Sequence, residues 1–211
     1  MDTPSDAIYA DFTSPLALLA SQRLDRLGAA GLPAPDWRAV SFRPTMPEIG
    51  IPLDSRAVAN RQEELDRLRD HLLPGEVLPE QAPRLLPHPG SATAVYAEAY
   101  LAGVADEVRG LLLRAYWMEG QDIGQPEVLR RLVPPAFAKG RRTFDPIQDW
   151  GYAVSPQRSP VTTGAYRLVH RWQQEWLALG TPVGLTLDGP SGSPTGVAAL
   201  SSLDALAAVT S

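Results

Sequence analysis

The order of elements limits this chain more than any other feature. Strand-then-helix signals stand at its N-terminus, a strand and a helix close it, and almost everything between reads as helix. Residues 7–12, AIYADF, are apolar and β-prone and predict a short first strand. Ser14 and Pro15 then supply helix-start chemistry, and Leu16, Leu19, Ala20, Leu24 and Leu27 follow at helical spacing. Residues 36–43, DWRAVSFR, predict a second strand, followed by a proline-rich loop over 44–52. Residues 55–73 predict an amphipathic helix with Val58, Leu65, Leu68 and Leu72 inward and charges outward. The connector 74–89 carries five prolines. The longest helical signal, 91–118, is expected to break near Gly103; shorter and longer helices follow from Pro126 and over 162–178. A strand near 182–188, a turn at Asp188–Gly192 and a helix over about 197–209 complete the order. One small sheet cannot be covered by so many helices, so the central ones are expected to form a helical subdomain over one edge or face.

Composition closes off several chemistries. The chain has no cysteine, so disulfides, thiolate nucleophiles, zinc–thiolate sites and iron–sulfur clusters are all excluded. The net charge of -5 argues against a nucleic-acid face, which needs a basic surface. No apolar run approaches the roughly 20 residues of a membrane span, and the start MDTPSDAIYADF lacks a secretory pattern, so a cytoplasmic setting without a membrane partner is expected.

Two stretches carry a resemblance. "DFTSPLALLASQRL" at 11–24 resembles the strand–turn–helix that opens the DsbA-like proteins. Their relatives include the 2-hydroxychromene-2-carboxylate isomerases and the kappa-class glutathione transferases. "LLLRAYWMEGQDIGQPEVLRRL" at 111–132 resembles the helical insertion of the same group. The resemblance implies an α/β, thioredoxin-like fold with a large α-helical insertion. Residues 1–45 and 178–211 would form the thioredoxin-like part and 55–177 the insertion.

Redox members of that group carry Cys-x-x-Cys at the start of the first helix. The isomerase and transferase members carry a serine there and bind a thiol, usually glutathione. Ser14 matches that serine, and Ala17 stands at the second-cysteine position. A hydroxyl at a helix N-terminus can donate to a cofactor thiolate where the helix dipole already favours an anion. Ser14 is equally well accounted for as an N-cap.

Other positions depart from the pattern. The cis-proline of the group matches Leu185 if Thr186-Leu187 is aligned with its Thr-Phe, or Pro182 if the proline is kept. A non-proline cis bond costs ~2.5–4 kcal/mol, so Leu185 is expected to be trans. The turn that supplies a carboxylate to the cofactor's amine matches Gly196-Val197-Ala198-Ala199-Leu200, which has no acid.

The remaining constellations read as structural. His71, His88 and His170 have no ligand spacing, so no metal is expected, and His170 is expected on a partly buried face with Trp172 and Trp176. Glu119 and Asp122 read first as turn residues, and "GPSGSPTG" at 189–196 as a turn. The basic-plus-aromatic cluster 139–157 reads as a loop or lid.

Two functions remain open. One is a non-redox isomerase- or transferase-type enzyme. Ser14 would be its catalytic residue, and Ser14, Pro15, Gly184 and Leu185 would hold a low-molecular-weight thiol, glutathione or an equivalent. Leu16, Leu18, Trp150 and Tyr152 would line a pocket for a hydrophobic small molecule. The other is a non-catalytic member that binds a small molecule or a protein partner; self-association as a homodimer would cover an exposed apolar face.

Overall fold

A computed structural model describes residues 6–140, 155–180 and 184–208. The expectations for Trp150, Tyr152, Thr181 and Pro182 lie outside these residues. Three strands form the main sheet: β1 (Ala7–Ala10), β2 (Asp36–Ala39) and β5 (Thr186–Asp188), in the order β2-β1-β5. β1 pairs parallel with β2, Ala7 opposite Asp36 and Ala10 opposite Ala39, and antiparallel with β5, Tyr9 opposite Thr186. All four residues of β1 are buried, as a central strand covered on both faces requires.

The second strand is shorter than expected because side chains take over its backbone. Val40 N–H still reaches Ala10 O at 3.0 Å. Beyond it, Asp11 Oδ2 accepts from Phe42 N–H at 2.9 Å, and the Gln173 amide bonds both Ser41 N–H (2.9 Å) and Ser41 O (3.2 Å). Every backbone group needs a partner, and here carboxylate and amide replace a neighbouring strand. The proline connectors also hold an unexpected ribbon, β3 (Ile51–Pro52) against β4 (Leu85–Leu86).

Helix α1 (Pro15–Ala29) crosses from β1 to β2. α2 (Ser55–Arg69) stops four residues short of the predicted end and buries Leu65 and Leu68. The long helical signal divides into α3 (Pro89–Ala102) and α4 (Ala105–Trp117), broken at Gly103 with φ +75°. α5 (Pro126–Leu132), α6 (Pro134–Phe137) and α7 (Thr163–Ala178) follow, and α8 (Val197–Ala208) closes the chain. α1 packs against α4 and α8, while α3 packs against α4 and α7. The main sheet, α1 and α8 thus come from the two ends of the sequence, and α2 to α7 from its middle.

Two buried arginines tie these parts together. Arg23 of α1 bonds the Glu76 carboxylate (2.9 and 3.2 Å), Asp204 of α8, and the carbonyls of His71 and Leu200. Arg109 of α4 pairs with Asp25 and Asp106 and donates to Ser21 Oγ at 3.0 Å. No described helix is long and apolar enough to cross a membrane.

Candidate functional site

The turn between β1 and α1 is built around Asp11. Its buried carboxylate accepts from Thr13 N–H (2.8 Å) and Thr13 Oγ1 (2.7 Å) on one oxygen, and from Phe42 N–H on the other. Phe12 O accepts from Trp117 Nε1 at 3.0 Å, and Thr13 O from Arg61 Nη2 at 3.0 Å. The sequence places Ser14 immediately after this pinned turn. Its backbone is extended (φ -89°, ψ 130°), its N–H donates to Asp11 O, and its carbonyl accepts from Ala17 N–H.

Ser14 therefore stands at the N-cap position, yet its hydroxyl makes no capping hydrogen bond. Among the described residues it has no other partner either. The cap account of this serine explains its position but leaves its hydroxyl unspent. The side chain borders a cavity of about 400 Å3. Pro15 and Leu16 continue the same wall, and Gly184, with φ +82°, closes it from the strand side. Apolar walls come from Phe42 and Trp176, whose rings stack at 5.2 Å.

Charge enters from two places. Arg61 reaches the cavity from α2 with its guanidinium carbon 5.1 Å from the Trp117 ring and 5.9 Å from the Tyr116 ring. No carboxylate lies within ion-pair distance of Arg61 among the described residues, and its buried Nε has no acceptor there. Arg43 adds a second cation, and Glu64 is the only carboxylate among the described lining residues. The Tyr116 hydroxyl beneath Arg61 donates to Leu85 O at 2.9 Å, and burial pushes its pKa up to about 12, so it remains a neutral donor.

The residues expected here divide into three groups. Ser14, Pro15, Leu16 and Gly184 come together on the cavity. Leu18 is buried and borders a different depression, with Leu111, Leu113 and Met118 of the α4 side. Leu185 is fully buried, and its carbonyl accepts from Gly196 N–H at 2.8 Å, so that acceptor is already used. No cis peptide bond occurs among the described residues, which includes Gly184-Leu185. Arg61, Arg43, Glu64, Phe42 and Trp176 were not legible as site residues. Arg61 lies in a helix whose charges alternate as on any solvated face, and only its half-buried position marks it.

The other constellations are as follows. Asp122 accepts from Gly124 N–H (2.9 Å) and Gln125 Nε2 (3.1 Å), the turn role expected of it. His170 is exposed and lies tilted against Tyr166, ring centroids 4.3 Å apart, whereas Trp172 and Trp176 are buried; the histidine occupies the outer side of α7, contrary to expectation. No group of metal-ligating side chains gathers among the described residues. His88, expected in a loop, caps α3 by accepting from Gly90 N–H at its Nδ1.

Burial, and secondarily the nearby Arg158 charge, lower the His88 pKa from its ordinary 6.5. The unfolded chain then binds a proton near pH 6.5 that the folded chain refuses until lower pH. Stability is expected to fall as pH drops below about 6.5 and to level off beneath the folded pKa. Urea unfolding between pH 8 and 5 checks this: His88→Asn keeps a cap acceptor and should lose that part of the pH slope. An unchanged slope in the variant rules His88 out as its source.

No known family model and no curated protein matches the chain. Solved structures do. A probable DsbA oxidoreductase from Streptomyces coelicolor superposes with a TM-score of 0.67 at 15% identity, over 96% of this chain and 88% of that one. The cytosolic disulfide reductase DsbM from Pseudomonas aeruginosa, solved with GSH, gives 0.61 at 16% identity, over 97% and 96%. A 2-hydroxychromene-2-carboxylate isomerase gives 0.59 at 14% identity, over 97% and 95%. The fold is DsbA-like: a thioredoxin-type α/β core with helices inserted.

Proposed function

We propose that this cysteine-free protein on a DsbA-like fold binds a low-molecular-weight thiol beside Ser14 and acts as an isomerase- or transferase-type enzyme on a hydrophobic small molecule. One observation carries the reading. Among the described residues, a serine hydroxyl at the N-cap of α1 that is unspent and an arginine that has no ion-pair partner border the same 400 Å3 cavity. The buried Arg61 Nε has no acceptor among the described residues, which calls for an explanation, and an anionic ligand supplies one.

The residues fit a peptide-like thiol in part. Ser14 would donate to the sulfur, Arg61 and Arg43 would face its carboxylates, and Glu64 would take its amine in place of the acid missing at 196–200. Leu185, fully buried and outside the cavity lining, contributes neither its side chain nor its carbonyl, which Gly196 N–H already occupies. When bound, such a thiol would supply the nucleophile that the chain lacks. The chain's own part is to hold the sulfur at the positive end of α1, to hold an apolar substrate against Leu16, Phe42 and Trp176, and to limit water there. The DsbM structure with GSH and the isomerase structure support this reading by fold. A reducing cytoplasm would keep the thiol available.

A binder without catalysis is the second reading, favoured by the sealed Leu185 carbonyl. Calorimetric titration with reduced glutathione tests both. Saturable binding is expected, with S-methyl glutathione weaker because it cannot present a thiolate. Ser14→Ala is expected to weaken the thiol about tenfold, near 1.4 kcal/mol, and to leave S-methyl glutathione binding unchanged. Absence of heat and of any thermal shift up to millimolar thiol defeats the thiol-site reading; binding without thiol-dependent turnover of an enone or epoxide panel favours the second.

A further inference from the structure

The sheet has a second end. β1 and β2 run parallel, so the start of β2 lies at the end of the sheet away from Ser14, which stands beyond the C-terminal end of β1. A cavity of about 430 Å3 opens there between β2, α1, α3 and α4, and it shares no lining residue with the Ser14 cavity. Gly28, Ala34 and Ala105 keep it wide, and a Cβ on Gly28 would meet no atom within 4 Å. Trp37, Tyr96 and Tyr100 give it an aromatic wall.

Among the described residues, three carboxylates line this cavity, Asp25, Asp36 and Asp106, against one cation, Arg109. Asp36 is spent: its Oδ1 accepts from the Tyr100 hydroxyl at 3.0 Å and its Oδ2 from Arg38 Nε at 3.0 Å. Asp25 and Asp106, 57% and 85% exposed at the mouth, each give only Oδ1 to Arg109. Their Oδ2 atoms accept nothing among the described residues. A carboxylate has room for about four hydrogen bonds, so most of the accepting capacity at the mouth is left over. By themselves such acids would be an ordinary solvated rim.

Trp37 supplies the opposite need. Its side chain is buried, 3% exposed, with the Arg109 guanidinium carbon over the ring at 5.4 Å from the centroid. The Nε1–H at the ring's edge has no acceptor among the described residues. A buried donor left unmade costs stability, so one on a cavity wall points to an acceptor brought from outside. Spare carboxylate oxygens at the mouth and an unmet N–H on the wall together suit a molecule that carries both a cation and an oxygen acceptor.

We propose that this cavity is a binding site, independent of the Ser14 cavity, for a small ring-bearing amino alcohol. Its ammonium group sits between Asp25 and Asp106, its hydroxyl oxygen accepts from Trp37 Nε1–H, and its carbon ring lies along the aromatic wall.

Calorimetry at neutral pH with trans-4-aminocyclohexanol, cyclohexylamine and cyclohexane-1,4-diol tests the site. Saturable binding of the amino alcohol is expected. The diol should bind about tenfold more weakly or worse because the carboxylates lose their cation, and cyclohexylamine about three- to tenfold more weakly because Trp37 loses its acceptor. The double variant Asp25→Asn/Asp106→Asn keeps an amide oxygen for Arg109 on each side chain and should bring the amino alcohol down to the affinity of the diol. Trp37→Phe removes the N–H and should erase the preference for the amino alcohol over cyclohexylamine, a ratio that does not depend on the variant's stability. Ser14→Ala should leave all three affinities unchanged. The site is refuted by no saturation up to tens of millimolar amino alcohol, by equal affinity for the amino alcohol and either analogue, by full affinity in the double asparagine variant, or by an undiminished preference in Trp37→Phe. Loss of binding in Ser14→Ala likewise refutes it, placing the ligand in the other cavity.

Discussion

Arg23→Met is expected to destabilise the fold by about 3–5 kcal/mol, the typical loss when one member of a buried ion pair is removed. Arg23 is only 4% exposed and the Glu76 side chain not at all. Methionine replaces the aliphatic stem but leaves the Glu76 carboxylate with Leu73 N–H at 2.9 Å and a distant Arg26 at 3.8 Å. The Leu200 and His71 carbonyls lose their donor in the same step, so α1 loses its tie to α8 and to the end of the α2 connector. The double variant Arg23→Met/Glu76→Leu should recover most of the loss, because an apolar pair of similar volume removes the stranded charge. Urea midpoints at constant m-value measure both. A single-variant loss below about 1 kcal/mol would mean the pair is solvated in a way its burial does not suggest.

Much of the frame was legible because local chemistry and global packing agree in it. Ser14-Pro15 started a helix, Gly103 broke one, and the central helices could not all fit over a three-stranded sheet. The failures have physical causes. The strand predicted over 36–43 ends at Ala39 because Asp11 and Gln173, 31 and 132 positions away from their partners, satisfy the backbone that follows. The β3–β4 ribbon is too short, at two residues a side, to leave an alternating pattern.

At the site, Ser14 could be read from the sequence because it has local backbone meaning as a cap, and Gly184 because the 180–187 segment resembles the family's cofactor-facing edge. Arg61 could not. Its role depends on Thr13, Tyr116 and Trp117 meeting in space, and an arginine in a charged helix reads as surface until that packing is known. Leu18 illustrates the converse, since two residues along α1 from Leu16 turn a side chain away from the cavity towards α4.

Arg61→Gln is expected to weaken glutathione binding by ten- to a hundredfold. Hydrogen bonds to charged groups contribute about 1.5–3 kcal/mol, and each tenfold in affinity is about 1.4 kcal/mol. The guanidinium is pre-organised: Trp117 and Tyr116 support it from below and Thr13 O fixes one nitrogen, so little rotamer entropy remains to be lost on binding. Glutamine keeps polarity and part of the aliphatic stem but removes the charge, so the bound thiol should also titrate at higher pH in the variant, read from thiolate absorbance. Arg61→Lys restores charge without the planar stack and should recover the thiol's titration more fully than the affinity. Those two readouts separate an electrostatic role from a structural one. If Arg61 served only to brace the Ser14 turn, glutamine and lysine would lower the melting temperature and the affinity together, and the titration of the remaining bound thiol would not move.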